Sequence, residues 1–202
     1  THLPMSESES KERILAAAKA LFLARGYAAT SVDSICEKAG LSKGSFYHFF
    51  DSKDALGLAA VDWTLQQSAA VLENGPHAAI SDPVQHGLAY LEHVENCSSE
   101  LWGAGCLLCQ FALELGDTNE PMRKVISTKF QTMSDDVAAK LEPLVAACAP
   151  GAVVSAPELA NQLLCSLEGS IIHAKAHRDP SRVPKAVRAF RTTLAGHLPL
   201  PA

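Results

Sequence analysis

Within Ser42–Lys53 (SKGSFYHFFDSK), small and polar side chains are set among three phenylalanines. On a helix, Phe46, Phe49 and Phe50 share one face at i, i+3, i+4 spacing. Gly44, Ser45 and His48 then take the opposite face, with Tyr47 on its flank. Lys43, in the first turn, reaches outward along its stem. A short helix anchored by phenylalanine and faced with such groups suits the DNA major groove. Ser45 and His48 are placed to meet base edges, and Gly44 lets the backbone come close. Tyr47 can donate to a phosphate or lie against a sugar or thymine methyl, and Lys43 reaches a phosphate or a guanine edge. Ser42 caps this helix. Thr30 and Lys53 are expected at helix starts, where hydroxyl, ammonium and backbone amides can hold phosphates without choosing a sequence.

The second chemical feature is Cys106-x-x-Cys109. A zinc site needs further ligands at matching spacing, and no second C-x-x-C or His pair exists. A thioredoxin-like motif needs a βαβ context that is absent. The residues therefore predict two small core side chains on one helical face. No G-x-S-x-G, P-loop, H-E-x-x-H or Rossmann fingerprint is present, so no catalytic residues, metal or cofactor are expected. For a small-molecule pocket the candidates are Trp102, Phe111, Phe130 and Met133, with Gln110, Glu114 or His173 as polar anchors.

The elements that hold these residues read as wholly helical, about nine in number, with no alternating strand pattern. Helices are expected from about Ser8 to Arg25, ended by Gly26, and from an N-cap at Thr30 with Asp33 as its capping-box partner. Gly40-Leu41 turns into the Ser42 helix, giving a helix-turn-helix arrangement. A long connector follows over about 53–74. The body continues with a helix carrying Val84, Leu88, Leu91 and Val94, a loop over Ser98–Gly105, and an apolar, buried helix over Cys106–Leu115. A long helix from Met122 is expected to kink or finish at Pro143. Two closing helices follow, the first starting with the capping box of Ser155 and Glu158. The domains expected are 8–52, a DNA-binding head, and 53–198, an effector-binding and dimerisation body.

The chain has 202 residues, is 48% hydrophobic and carries a net charge of −5. That composition supports a sizeable core. Residues 1–60 hold seven Lys/Arg and seven Asp/Glu, so the head is neutral and the remainder acidic. A neutral head implies modest non-specific affinity for DNA and a limited salt slope. No apolar run is long enough to span a membrane and no signal peptide is visible, so a cytoplasmic protein without membrane association is expected. The six cysteines then read as reduced thiols, with Cys36 and Cys165 as plain core residues.

The Ser42–Lys53 stretch, with its flanking helices, resembles the recognition-helix segment of the TetR family of bacterial repressors, closely over residues 11 to about 60. The resemblance implies a homodimer that binds a near-palindromic double-stranded DNA operator, with the two closing helices forming a four-helix interface. It also implies an effector in the body. The run Gly105-Cys106-Leu107-Leu108, continuing through Glu114, Asp117, Glu120 and Arg123, resembles a subgroup that includes repressors answering electrophiles and oxidants. There Cys106 would be the reactive thiol, Lys175 its nearby cation and Cys109 an extra thiol. Release from DNA would follow either a small molecule or modification of Cys106. A helical adaptor or small-molecule-binding protein without DNA recognition is the alternative.

Overall fold

The computed structural model describes residues 6–148 and 155–198, and among these the chain is all-α. The helices are α1 (Glu7–Arg25), α2 (Val32–Ala39), α3 (Lys43–Phe49), α4 (Lys53–Glu73), α5 (Pro83–Trp102), α6 (Leu107–Leu115), α7 (Glu120–Ala147), α8 (Ala156–His177) and α9 (Arg182–Ala195), with a 3-10 turn at Pro76–Ala79. They form two compact units: residues up to 67 together with 107–126, and 68–106 together with 127 onward.

The first unit is built on α1, whose Ile14, Ala18 and Phe22 are fully buried. Ser6 and Glu9 close a capping box at its start, each binding the other's backbone N–H. Gly26 ends it at φ 84°, a conformation that favours glycine. Gly40, at φ 64°, turns α2 into α3 in the same way. The cap of α2 falls one residue later than the sequence predicts. Ser31, with Ser34 as its partner, caps the helix. Thr30 is buried and its hydroxyl donates to the Gly26 carbonyl (2.7 Å). Both hydroxyls satisfy the capping preference, and the turn after Gly26 draws Thr30 inward.

Phe46 and Phe50 lock α3 into the core of this unit, while Phe49 is half-buried. Burial of each of the first two is worth about 1.5–3 kcal/mol. The aromatic set Phe22, Tyr27 and Phe111 packs at centroid distances of 5.2–5.3 Å. Phe111, one of the pocket candidates, is thus a core residue of the first unit. Only part of α6 matches the expected burial, since Leu113 is 78% exposed.

The second unit has its core along α5, α7, α8 and α9, with Leu91, Leu141, Leu144, Ala160, Val183 and Val187 at its centre. Glu95 of α5 is buried and held by Arg188 and Arg191 of α9 at 2.7 and 2.8 Å. Burial would raise its carboxyl pKa, but the two guanidiniums outweigh that and lower it. Several local expectations fail here. The segment from Ser98 is not a loop: α5 continues to Trp102 before the turn at Gly103. Pro143 does not end α7, which runs on to Ala147. Cys165 lies on the exposed side of α8, not in the core, whereas Cys36 is buried. Ser155 does meet Glu158, through N–H and O–H bonds of 3.0 and 2.6 Å.

Candidate functional site

The exposed face of α3 begins with its cap. The Ser42 hydroxyl accepts from the Ser45 N–H at 3.1 Å, and the two hydroxyls lie 3.0 Å apart. Lys43 reaches back to Asp33 of α2 at 2.6 Å, and that carboxylate raises the ammonium's pKa. Gly44 is open: a Cβ there would meet nothing nearer than the Ser42 hydroxyl, at 3.6 Å. Tyr47 is 57% exposed, with its ring edge-on to the buried Phe46 at 5.1 Å. His48 is also exposed, with Nε2 3.4 Å from the Glu7 carboxylate. The fold therefore brings Lys43, Gly44, Tyr47 and His48 together on one solvent-facing surface, with Ser42 and the half-buried Ser45 at its edge.

Two residues expected at phosphates make contacts within the fold. The Thr30 hydroxyl is buried and engaged, as described above. The Lys53 ammonium donates to the carbonyls of Tyr27 and Thr30 at 3.0 and 3.1 Å, and lies 4.2 Å from the centre of the Tyr27 ring. It holds the α1–α2 loop against the start of α4.

The same loop is gripped by Glu114, which the sequence offers as a pocket anchor and as part of the run after Cys106. Glu114 of α6 accepts from the Tyr27 and Ala28 N–H groups at 2.6 and 2.7 Å. Burial would raise its carboxyl pKa, but these two donors, the Gln110 side chain and the charge of Lys53 outweigh that and lower it. The Tyr27 hydroxyl donates to Asp54, whose other oxygen accepts from Asn119 (3.2 Å). Burial and the neighbouring Asp54 and Glu114 charges push the Tyr27 phenol upward. A Cβ at Gly26 would fall 2.9 Å from a Glu114 oxygen, so the bare glycine also admits the carboxylate. Glu114 lies 87 residues from Tyr27 in sequence. No local pattern announces a pairing over that distance.

The remaining effector candidates are scattered. Trp102, Cys106, Phe130 and Met133 are half-buried in the second unit, and Cys109 and Gln110 are half-buried on α6. Lys175 is exposed in the last turn of α8, and the exposed His173 stacks near His177 at 6.1 Å. Cys106 precedes α6 instead of sharing a helical face with Cys109. Its sulfur lies within 4.8 Å of a Glu168 carboxylate oxygen.

Comparison with known proteins agrees with this geometry. Residues 14–60 match the tetR family of bacterial regulatory proteins, and residues 88–190 match the tetracyclin repressor-like C-terminal domain. The chain belongs to the TetR family of helix-turn-helix transcriptional regulators, which bind DNA and are not enzymes. It is 26% identical over 173 residues to an HTH-type transcriptional regulator from the lacX 3′ region of Lactococcus lactis, covering 84% of this chain and 85% of that one. It is 30% identical over 131 residues to the HTH-type transcriptional repressor NemR of Escherichia coli, covering 60% of this chain and 61% of that one. The crystal structure of a TetR transcriptional regulator from Chloroflexus aurantiacus superposes with a TM-score of 0.79 at 26% identity, covering 95% and 97% of the two chains. Members of the family bind operators as dimers and typically answer small-molecule effectors. No helix among the described residues is long and apolar enough to cross a membrane.

Proposed function

We propose that this regulator is a repressor that binds a near-palindromic operator as a homodimer, with α3 of each protomer in the major groove. The exposed Tyr47–His48 face on a helix pinned by the buried Phe46 carries this reading. An exposed tyrosine costs apolar hydration in the free protein and gains a partner on DNA. Two-fold symmetry of the protein matches two half-sites. The dimer uses α8 and α9. Ile172 of α8 is 57% exposed, and a Cβ at Gly169 would meet nothing within 4 Å, so this helix offers an apolar, low-relief surface.

Release follows an effector bound in the body or covalent modification of Cys106. Cys106 is the residue before α6, and α6 carries Glu114, which holds the head's α1–α2 loop. A shift of α6 therefore acts on the element that orients α2 and α3. A preference of a few kcal/mol for the released state suffices. The test is an operator complex treated with N-ethylmaleimide. Wild type should lose DNA and Cys106→Ser should keep it. Full release of the serine variant would place the reactive thiol at another cysteine, the exposed Cys165 first, and no release of wild type would leave a non-covalent effector.

A further inference from the structure

The 3-10 turn at Pro76–Ala79, which joins α4 to α5, drives a histidine into the second unit. His77 is 1% exposed, and its Nδ1 has no hydrogen-bond partner among the described residues. One stripe of α5 faces it. The rings of His86, Tyr90 and His93 lie at centroid distances of 5.1, 5.3 and 5.5 Å. Gly75 makes the fit possible, since a Cβ there would collide with the His93 ring and fall 2.7 Å from His77 Nδ1. The groups that surround this turn also hold the end of α4. His93 Nε2 lies 2.9 Å from the Val71 carbonyl, which can only accept, so this nitrogen carries the proton and donates. His86 Nδ1 stands in the same way toward the Ile80 carbonyl, at 3.3 Å. Glu73 pairs with Lys140 of α7 at 2.8 Å, and Lys140 also lies 5.5 Å from the centre of the Tyr90 ring.

We propose that this turn is an acid-releasable latch on α4: His77 stays docked while neutral and leaves its site when it takes up a proton. A docked imidazolium would have no acceptor for its Nδ1–H and two imidazoles beside it, whereas a released one is hydrated. Burial, then His86 and His93, accordingly hold the His77 pKa below the ordinary histidine value, with Lys140 adding to them and Glu73 opposing. The Glu73 carboxylate is 59% exposed and already paired with Lys140, so it offsets little. Tyr90 and Cys97, on the same stripe of α5, stay neutral in mild acid. Burial first, then Glu73 and Asp136, pushes the phenol up to about 12, and burial with Glu100 raises the thiol. Because the docked value is the depressed one, docking is fully favourable above about 6.5 and weakens as pH falls below it, until the lower docked value is passed. Between those two values the released fraction grows by up to about tenfold per pH unit. α4 runs in one piece from Lys53, just after α3, so a loosened end deprives α3 of a fixed orientation. Operator affinity then falls in mild acid.

The loss of operator affinity rests on the proposed repressor reading; the latch itself does not. Hydrogen exchange of the free, full-length protein between about pH 7.5 and 5.5 tests the latch. The amides of Ala78 and Ile80, which donate to the Gly75 and His77 carbonyls, report on the turn. Their protection factors, corrected for the intrinsic pH dependence of exchange, should fall at least fivefold toward the acid end. The amides of Val187 and Phe190 in α9 should keep theirs. His77→Phe fills the site with a ring that cannot titrate and should hold the turn's protection level. The wild-type profile needs no mutation, so it decides the matter even if that variant folds poorly. Protection at the turn that does not change with pH, or that falls only together with α9, overturns the proposal, as does an undiminished fall in a folded His77→Phe. Operator titrations over the same range test the consequence. Wild-type affinity, divided by that of His77→Phe to cancel titration of the DNA face, should fall at least threefold. A constant ratio beside an opening turn contradicts the latch's control of DNA. No operator binding at any pH contradicts the repressor reading and leaves the latch standing.

Discussion

Tyr47 and Lys53 look alike as phosphate contacts in sequence, yet they sit in opposite environments. Tyr47 spends nothing on the fold beyond an edge contact with Phe46, whereas Lys53 binds two carbonyls and a tyrosine ring. Tyr47→Ala should leave the melting temperature within a degree or two and weaken operator and scrambled duplexes by a similar factor. Ser45→Ala and His48→Ala should instead change the preference between them, by about 1–3 kcal/mol per lost base contact. Lys53→Ala should lower the melting temperature first and DNA binding through it. Thermal melts beside anisotropy titrations on both duplexes separate these patterns. Gly44 offers a sharper case, because a methyl there clashes with nothing in the free protein. Gly44→Ala should raise helix stability by up to about 1 kcal/mol. It should still weaken DNA binding, since the backbone can no longer approach as closely. Tighter binding by this variant would show that α3 does not lie against DNA at Gly44. The exposed face of α3 was legible because helical spacing separates it from Phe46 and Phe50. The fate of Thr30 and Lys53 was not, because both answer to a loop whose path depends on residues elsewhere in the chain.

Elements were legible wherever one face is apolar at helical spacing, as in α1, α2, α8 and α9. Errors fell at ends, where short-range signals compete. Gly103 and Gly105 suggested a loop from Ser98, yet Ser98 and Trp102 still complete the last turns of α5. Pro143 lies inside α7, whose neighbours hold the helix together past the missing N–H. The larger omission was α6 as a clamp on the first unit, since Glu114 and Tyr27 meet only in three dimensions. Glu114→Gln should keep the fold and loosen the α1–α2 loop, costing about 1–3 kcal/mol for two backbone donors left with a neutral acceptor. The folded-state pKa of Glu114 is depressed. Its stabilising contribution is therefore present above the unfolded carboxylate value of about 4.3 and is lost as pH falls through the lower folded value. Wild type and variant should differ in melting temperature at pH 7 and converge under strong acid. A constant gap across that range would mean that the carboxylate charge does not hold the loop.

At the scale of the molecule, the head's charges balance while the remainder is acidic. Such a protein binds DNA through a few placed contacts, so its affinity should fall with salt along a limited slope. Family membership, the all-α fold and the DNA-binding role were legible because the recognition segment is local and dense in signal. The effector site was not, because its candidates are distributed: Trp102 ends α5, Phe130 and Met133 lie on α7, and Phe111 is core. The most direct test is a fluorescence-anisotropy titration of the reduced protein against duplex DNA from upstream of its own gene. Wild type and Tyr47→Ala should be compared at several salt concentrations. The expected result is saturable, salt-sensitive binding by wild type, two protomers per site, and a large loss in a fully folded Tyr47→Ala. The contradicting result is Tyr47→Ala binding as tightly as wild type, or no saturable binding to that DNA or to any duplex selected from a random pool.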